Sequence, residues 1–190
     1  MRKLIDRLAR VPLQVVGAAL TLGAVLLAAH YALIDHVRAT GQEEPAQWVG
    51  GLTVKWYWVL IPVSLIALWA RRRDRQGPVG RAGAIMLASG PLMHVAVTVG
   101  AIVWGALMGR GDLPTGFMVV EMLMYVFYLG VLVIGLAFLL DGGVRWWGAA
   151  TVAGLVLEFL VPYGGAAAFT VFGLCLVAYG LRRPVPAGHL

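Results

Sequence analysis

The stretch 117-FMVVEMLMYVFYLGVLVIGLAFLL-140 decides the fold. It runs on without a proline and holds a single carboxylate, Glu121. A helix rising about 1.5 Å per residue crosses a hydrocarbon layer of about 30 Å with some 20 residues. Only helices and closed barrels satisfy every backbone N–H and C=O in lipid. The run therefore reads as a membrane-spanning helix.

Working outward, residues 11–34, 49–70, 79–108, 145–161 and 164–181 form five further apolar runs. The last two are short and are separated by the turn residues Pro162-Tyr163-Gly164-Gly165. They read as two spanning helices, or alternatively as one re-entrant hairpin. The run 11–34 is longer than the roughly 7–15 apolar residues of a signal peptide and lacks a small-residue cleavage site, so it reads as a retained first helix. The chain has 190 residues, 61% hydrophobic and 13% charged, about half the charged share of a soluble domain. The expected fold class is all-α, a polytopic transmembrane bundle of six helices forming a single membrane domain over residues 1–190. Dense small residues, 25 of them glycine, favour close helix–helix approach within the bundle or against another subunit.

The net charge of +6 does not point to nucleic acid, because the arginines sit in short segments between apolar runs and leave no basic surface. They set orientation instead. Residues 1–10, the run Arg71-Arg72-Arg73-Asp74-Arg75 and the tail at Arg182 and Arg183 are basic, whereas the connection holding Asp35, Glu43 and Glu44 is acidic. By the positive-inside rule both termini are cytoplasmic. The expected location is the inner (plasma) membrane, multi-pass, of a prokaryote, whose GC-rich genome suits a chain in which Lys3 and Lys55 are the only lysines. The single cysteine, Cys175, can form no internal disulfide and reads as a small packing residue.

Five ionisable side chains fall inside the apolar runs: His30, Lys55, His94, Glu121 and Glu158. Each costs about 2.5–3.5 kcal/mol on insertion scales, so each calls for a partner or a function. By helical rise, His30, Lys55, Glu121 and Glu158 fall within roughly 5–9 Å of the outer boundary. There they could snorkel, or form a structural Lys55–Glu121 or Lys55–Glu158 pair. His94 falls near the middle of its run, three residues after Pro91, which is expected to kink the helix. Glu121, Tyr125 and Tyr128 follow i, i+4, i+7 spacing and share one helical face.

Specific chemistries find little support. His30 and His94 differ in depth by roughly 14 Å, which argues against one haem between them. The one closely spaced methionine pair, Met122-Leu123-Met124, has no cysteine beside it, no HExxH stands in the sequence, and no serine or aspartate has the context of an intramembrane hydrolase. No catalytic residue, metal site or cofactor is assigned, and enzymatic activity is not expected. The leading expectation is a protein that binds or transports a small solute through a polar site opening outward. That site would use His94, Glu121, Tyr125, Tyr128 and Glu158, with Lys55 and His30 at the rim. The alternative is a non-catalytic accessory subunit whose polar residues pair with other membrane subunits or a second copy. A membrane-embedded enzyme or redox protein is the remaining class.

Overall fold

The computed structural model describes residues 2–41, 54–103, 108–109 and 118–182. All regular structure among them is helical. The elements are α1 (Arg2–Arg10), α2 (Leu13–Thr40), α3 (Tyr57–Ala70), α4 (Arg73–Leu87), α5 (Ser89–Ala101), α6 (Met118–Leu140), α7 (Arg145–Leu160) and α8 (Gly164–Leu181). Among the described residues, four segments are long and apolar enough to cross a membrane: Leu13–Thr40, Arg73–Gly100, Met122–Leu140 and Gly164–Leu181. This is the make-up of a multi-pass membrane protein.

Several boundaries differ from the sequence expectation. The first apolar run continues as helix through Asp35 to Thr40 and stops where Gly41 takes a left-handed conformation, its N–H bonding to the Val37 carbonyl. Residues 2–10 form a short amphipathic helix of their own. Ile5, Leu8 and Ala9 pack on the core while Lys3, Arg7 and Arg10 stay exposed. The expected helix over 49–70 contributes 14 described helical residues, and that over 145–161 contributes 16, both below ordinary spanning length. The run 79–108 is two helices. Pro91 has no N–H to give the carbonyl four residues back, and the helix breaks at Ala88, between α4 and α5. Ser89 bridges the break by donating to the Leu123 carbonyl of α6 at 3.0 Å.

The helices close into a ring. α2 packs on α3 and α8, α8 on α7, α7 on α6, and α6 on α4 and α5, which return to α3. α3 also reaches α6 and α1, so it is the element that fills the bundle. Tyr57, Trp58, Ile61, Leu65, Leu68 and Trp69 are all buried in protein, apolar on every side as a core helix is.

The ring is sealed by glycine. A Cβ on Gly17 of α2 would stand 2.6 Å from the Gly173 carbonyl of α8, and one on Gly173 would stand 2.7 Å from the Gly17 carbonyl. The two backbones touch, and no side chain fits between them. On the far side of the bundle, Gly83 presses against the backbone of Ile134 and Gly148 against the Gly135 carbonyl. The similar small-residue segments around Gly83 and Gly148 thus do the same job on two sides of α6.

At the arginine-rich end, two ion pairs tie elements together. Arg72 donates to both carboxylate oxygens of Asp141, at 2.9 and 2.7 Å, and Arg73 meets Asp6 of α1 at 2.7 Å. Asp141 is nearly fully buried, and its carboxyl is held below its ordinary pKa chiefly by the Arg72 hydrogen bonds, against the upward pull of burial.

Two outcomes follow. Gly173→Ala should destabilise the bundle by about 1–3 kcal/mol through overpacking, read as a lower thermal midpoint in detergent. Arg72→Gln should cost roughly 3 kcal/mol at pH 7, because it leaves a buried carboxylate alone. A carboxyl with a depressed folded-state pKa stabilises above its unfolded value, about 3.9, and loses that contribution as pH falls through the folded value. The gap between wild type and variant should therefore shrink below about pH 4.

Candidate functional site

The end of the bundle opposite the arginines holds the second polar constellation. Glu158, in the last turn of α7, accepts a short hydrogen bond from the Tyr31 hydroxyl of α2 through Oε1. Its Oε2 is buried with no hydrogen-bond partner. The carboxylate lies against Gly165, in the first turn of α8, and a Cβ there would collide with it. Backbone N–H groups at a helix N-terminus favour a carboxylate at that place.

Aromatic rings surround the acid. Glu158 lines a small internal cavity of ≈ 20 Å³ with Tyr57, Tyr128, Phe127, Leu27 and Phe169 among its walls. That is room for about one water molecule. Around it the rings form a connected set: His30 on Tyr57 at 5.4 Å, Trp58 on Phe127 at 4.8 Å and on Tyr128 at 6.0 Å, and Tyr128 on Phe159 at 5.1 Å between centroids. Tyr163, in the turn between α7 and α8, has a left-handed backbone (φ 60) rare for a tyrosine. It packs edge-on against Tyr31 and donates from its hydroxyl to Asp35 at 2.7 Å, anchoring the turn to α2.

The sequence candidates divide. Glu158 and Tyr128 share the cavity wall. His30 is half-buried one ring away, behind Tyr57. His94 is buried at 6% exposure, but against Trp56 at 5.1 Å rather than at the cavity. Trp56 stands just before the start of α3. Lys55 is half-buried and lies within electrostatic reach of both His30 and His94. Glu158 takes Tyr31 as its partner, and among the described residues no Lys55–Glu158 ion pair forms. Tyr125 is 68% exposed on the outside of the bundle, so the expected Tyr125–Tyr128 stripe does not face one site. The side chain of Glu121 lies outside the described residues. Cys175 is exposed rather than packed.

Tyr31, Tyr57 and Gly165 belong to the site and were not among the sequence candidates. Tyr31 and Tyr57 look like ordinary interfacial aromatics in sequence, and Gly165 like a turn residue. The available signal was a carboxylate six residues before a Gly-Gly helix start. Among the described residues, no group of three His, Cys, Asp or Glu side chains gathers as metal ligands would. Neither a protein-family model, a curated protein nor a solved structure matches this chain.

Gly165→Ala should lower stability by about 1–3 kcal/mol, because the new methyl displaces the Glu158 carboxylate. In the double variant with Glu158→Ala the methyl finds space. The two effects should then fall short of their sum by more than about 0.5 kcal/mol in a thermal-unfolding cycle.

Proposed function

We propose that this protein binds a small organic cation at the Glu158 end of the bundle, as a solute-binding or transport protein of a prokaryotic plasma membrane. In this reading the chain forms six spanning helices, N-in and C-in, with Glu158 toward the outer face. The observation that carries it is Glu158 itself. It is a carboxylate in the last turn of the apolar helix α7, half satisfied by Tyr31, and walled by Tyr57, Tyr128 and Phe127. An acid among aromatic faces is the chemistry that recognises an ammonium group, by charge and by cation–π attraction. His30 stands one ring away, on Tyr57, with Lys55 within electrostatic reach of it, and their charge would oppose approach of a cation from that side. With room for one water, the described form is closed, and a solute would displace Tyr31 from Glu158.

The alternative, an accessory subunit of a membrane complex or a homo-oligomer, has its own observation. A surface groove of ≈ 500 Å³ runs between α7 and α8, lined by Ala150, Ala153, Gly164, Ala167, Ala168 and Cys175. Small residues of this kind admit close approach of another helix in lipid.

The test is a titration of the purified protein with choline, tetramethylammonium and the neutral carbon isostere of choline, followed by tryptophan fluorescence, since Trp58 contacts Tyr128. Saturable binding of the cations is expected, weakened at least about tenfold by Glu158→Gln, with the neutral isostere silent. Equal binding of the isostere, or cation binding indifferent to Glu158→Gln, would sink the proposal. Native mass spectrometry of the same material separates the two readings: a retained small molecule favours the first, a co-purifying membrane chain the second.

A further inference from the structure

The turn between α3 and α4 carries polar atoms that the described bundle does not satisfy. Trp69 Nε1, Arg71 Nε and both amide atoms of Gln76 are buried without a hydrogen-bond partner. Trp69 and Gln76 are each only 7% exposed. They meet over Gly80, where a Cβ would stand 2.8 Å from both Trp69 Nε1 and Gln76 Cβ. A glycine here is what lets the indole N–H and the Gln76 side chain converge. α4 is kinked at Gly77 (φ 55), with Pro78 opening the helical stretch that carries Gly80.

Arg71, two residues after Trp69, caps α3. Its neighbours in the basic run are engaged or exposed: Arg72 holds Asp141, Arg73 holds Asp6, and Arg75 lies open at the surface. Burial pushes the Arg71 guanidinium down from its ordinary pKa. A buried guanidinium Nε without an acceptor, and a buried amide without a partner, are both costly arrangements. Indole, guanidinium and amide nitrogens are donors, and the Gln76 carbonyl is the one acceptor among the four atoms. A donor cluster of this composition suits a group that is anionic and offers only acceptors. It also lies just past the end of α3, at the edge of the apolar zone, where lipid phosphates are concentrated.

We infer that Trp69, Arg71 and Gln76 form a binding site for a phosphate oxyanion, supplied either by the headgroup of an anionic phospholipid or by free inorganic phosphate. Arg71 provides the charge. The Trp69 and Gln76 N–H groups, fixed over Gly80, provide direction. The site is separate from the Glu158 cavity and does not depend on which way the bundle faces, since it needs only a membrane boundary beside it.

The experiment uses the full chain in a neutral detergent, with thermal midpoints measured against dioctanoyl phosphatidylglycerol, dioctanoylglycerol and sodium phosphate at fixed ionic strength. A midpoint that rises with a phosphate-bearing ligand is expected, with affinity falling at least about tenfold in Arg71→Gln or Gln76→Leu and holding in Arg75→Gln. A rise with phosphatidylglycerol alone assigns the lipid headgroup, and a rise with sodium phosphate as well assigns the free anion. Both support the site. No rise with either phosphate species, an equal rise with dioctanoylglycerol, or a loss in Arg75→Gln as large as in Arg71→Gln would overturn it. Should Arg71→Gln fail to fold, Gln76→Leu carries the comparison, because it removes the amide and keeps every charge.

Discussion

Backbone contact between α2 and α8 is the constraint on which the rest depends. Gly17 and Gly173 let the two backbones meet, and the Thr21 side chain lies at that seam, its hydroxyl donating to the Gly17 carbonyl at 2.9 Å and standing where a Cβ on Gly173 would fall. In lipid there is no hydrophobic drive to hold helices together, so such packing must do it. Further along the same pair, α2 delivers Tyr31 to Glu158 and Asp35 to Tyr163. At the other end Gln14 donates to the Gly180 carbonyl at 2.9 Å. Both polar ends of α2 reach their partners because its middle cannot stand off from α8.

Between those ends the bundle is apolar, and its polar side chains are sorted by what each end can offer. Arginine and aspartate pair at one end: Arg72 with Asp141, Arg73 with Asp6. At the other, a carboxylate is paired with a phenol, not a cation. A phenol can be displaced without leaving a second buried charge behind, whereas removing Arg72 from Asp141 would leave one. The first contact joins opposite charges, and the second joins an acid to a neutral hydroxyl.

Helix type and rough position were legible from periodicity and length, since apolar runs such as 117–140 admit little else. What was not legible depended on contacts across the bundle. His94 stands against Trp56, a contact that nothing within the run 79–108 marks. Tyr125 and Tyr128 share a helical face by spacing, yet one is exposed and the other lines the cavity. The angle between them on α6 is enough to put them on opposite sides of a packing boundary. Glu158 was legible as costly, but its partner was not, because Tyr31 lies 127 residues away and nothing local marks it. Trp69, Arg71 and Gln76 look like an interfacial aromatic and a cytoplasmic loop. Trp69 and Gln76 meet over the bare backbone of Gly80, beyond the kink at Gly77.

The same geometry decides how the Glu158 cavity could enlarge. Its walls come from α2, α3, α6, α7 and α8. Separation of α2 from α8 is the least available movement, because every turn near Gly17 and Gly173 is already at backbone contact. α3 is held differently. Pro62 stands inside it, so the Trp58 carbonyl four residues earlier has lost its helical donor, and Gly90 of α5 packs over that carbonyl. α5 in turn is joined to α4 by the break at Ala88 rather than by continuous helix. Two interruptions thus face each other on the side of the cavity away from α8. They are the places where the Tyr57 turn of α3 could swing with α5 while the glycine seam, the Arg72–Asp141 pair and the α4–α6 contact stay fixed. A cavity that holds one water in the described form would open on the α3–α5 side.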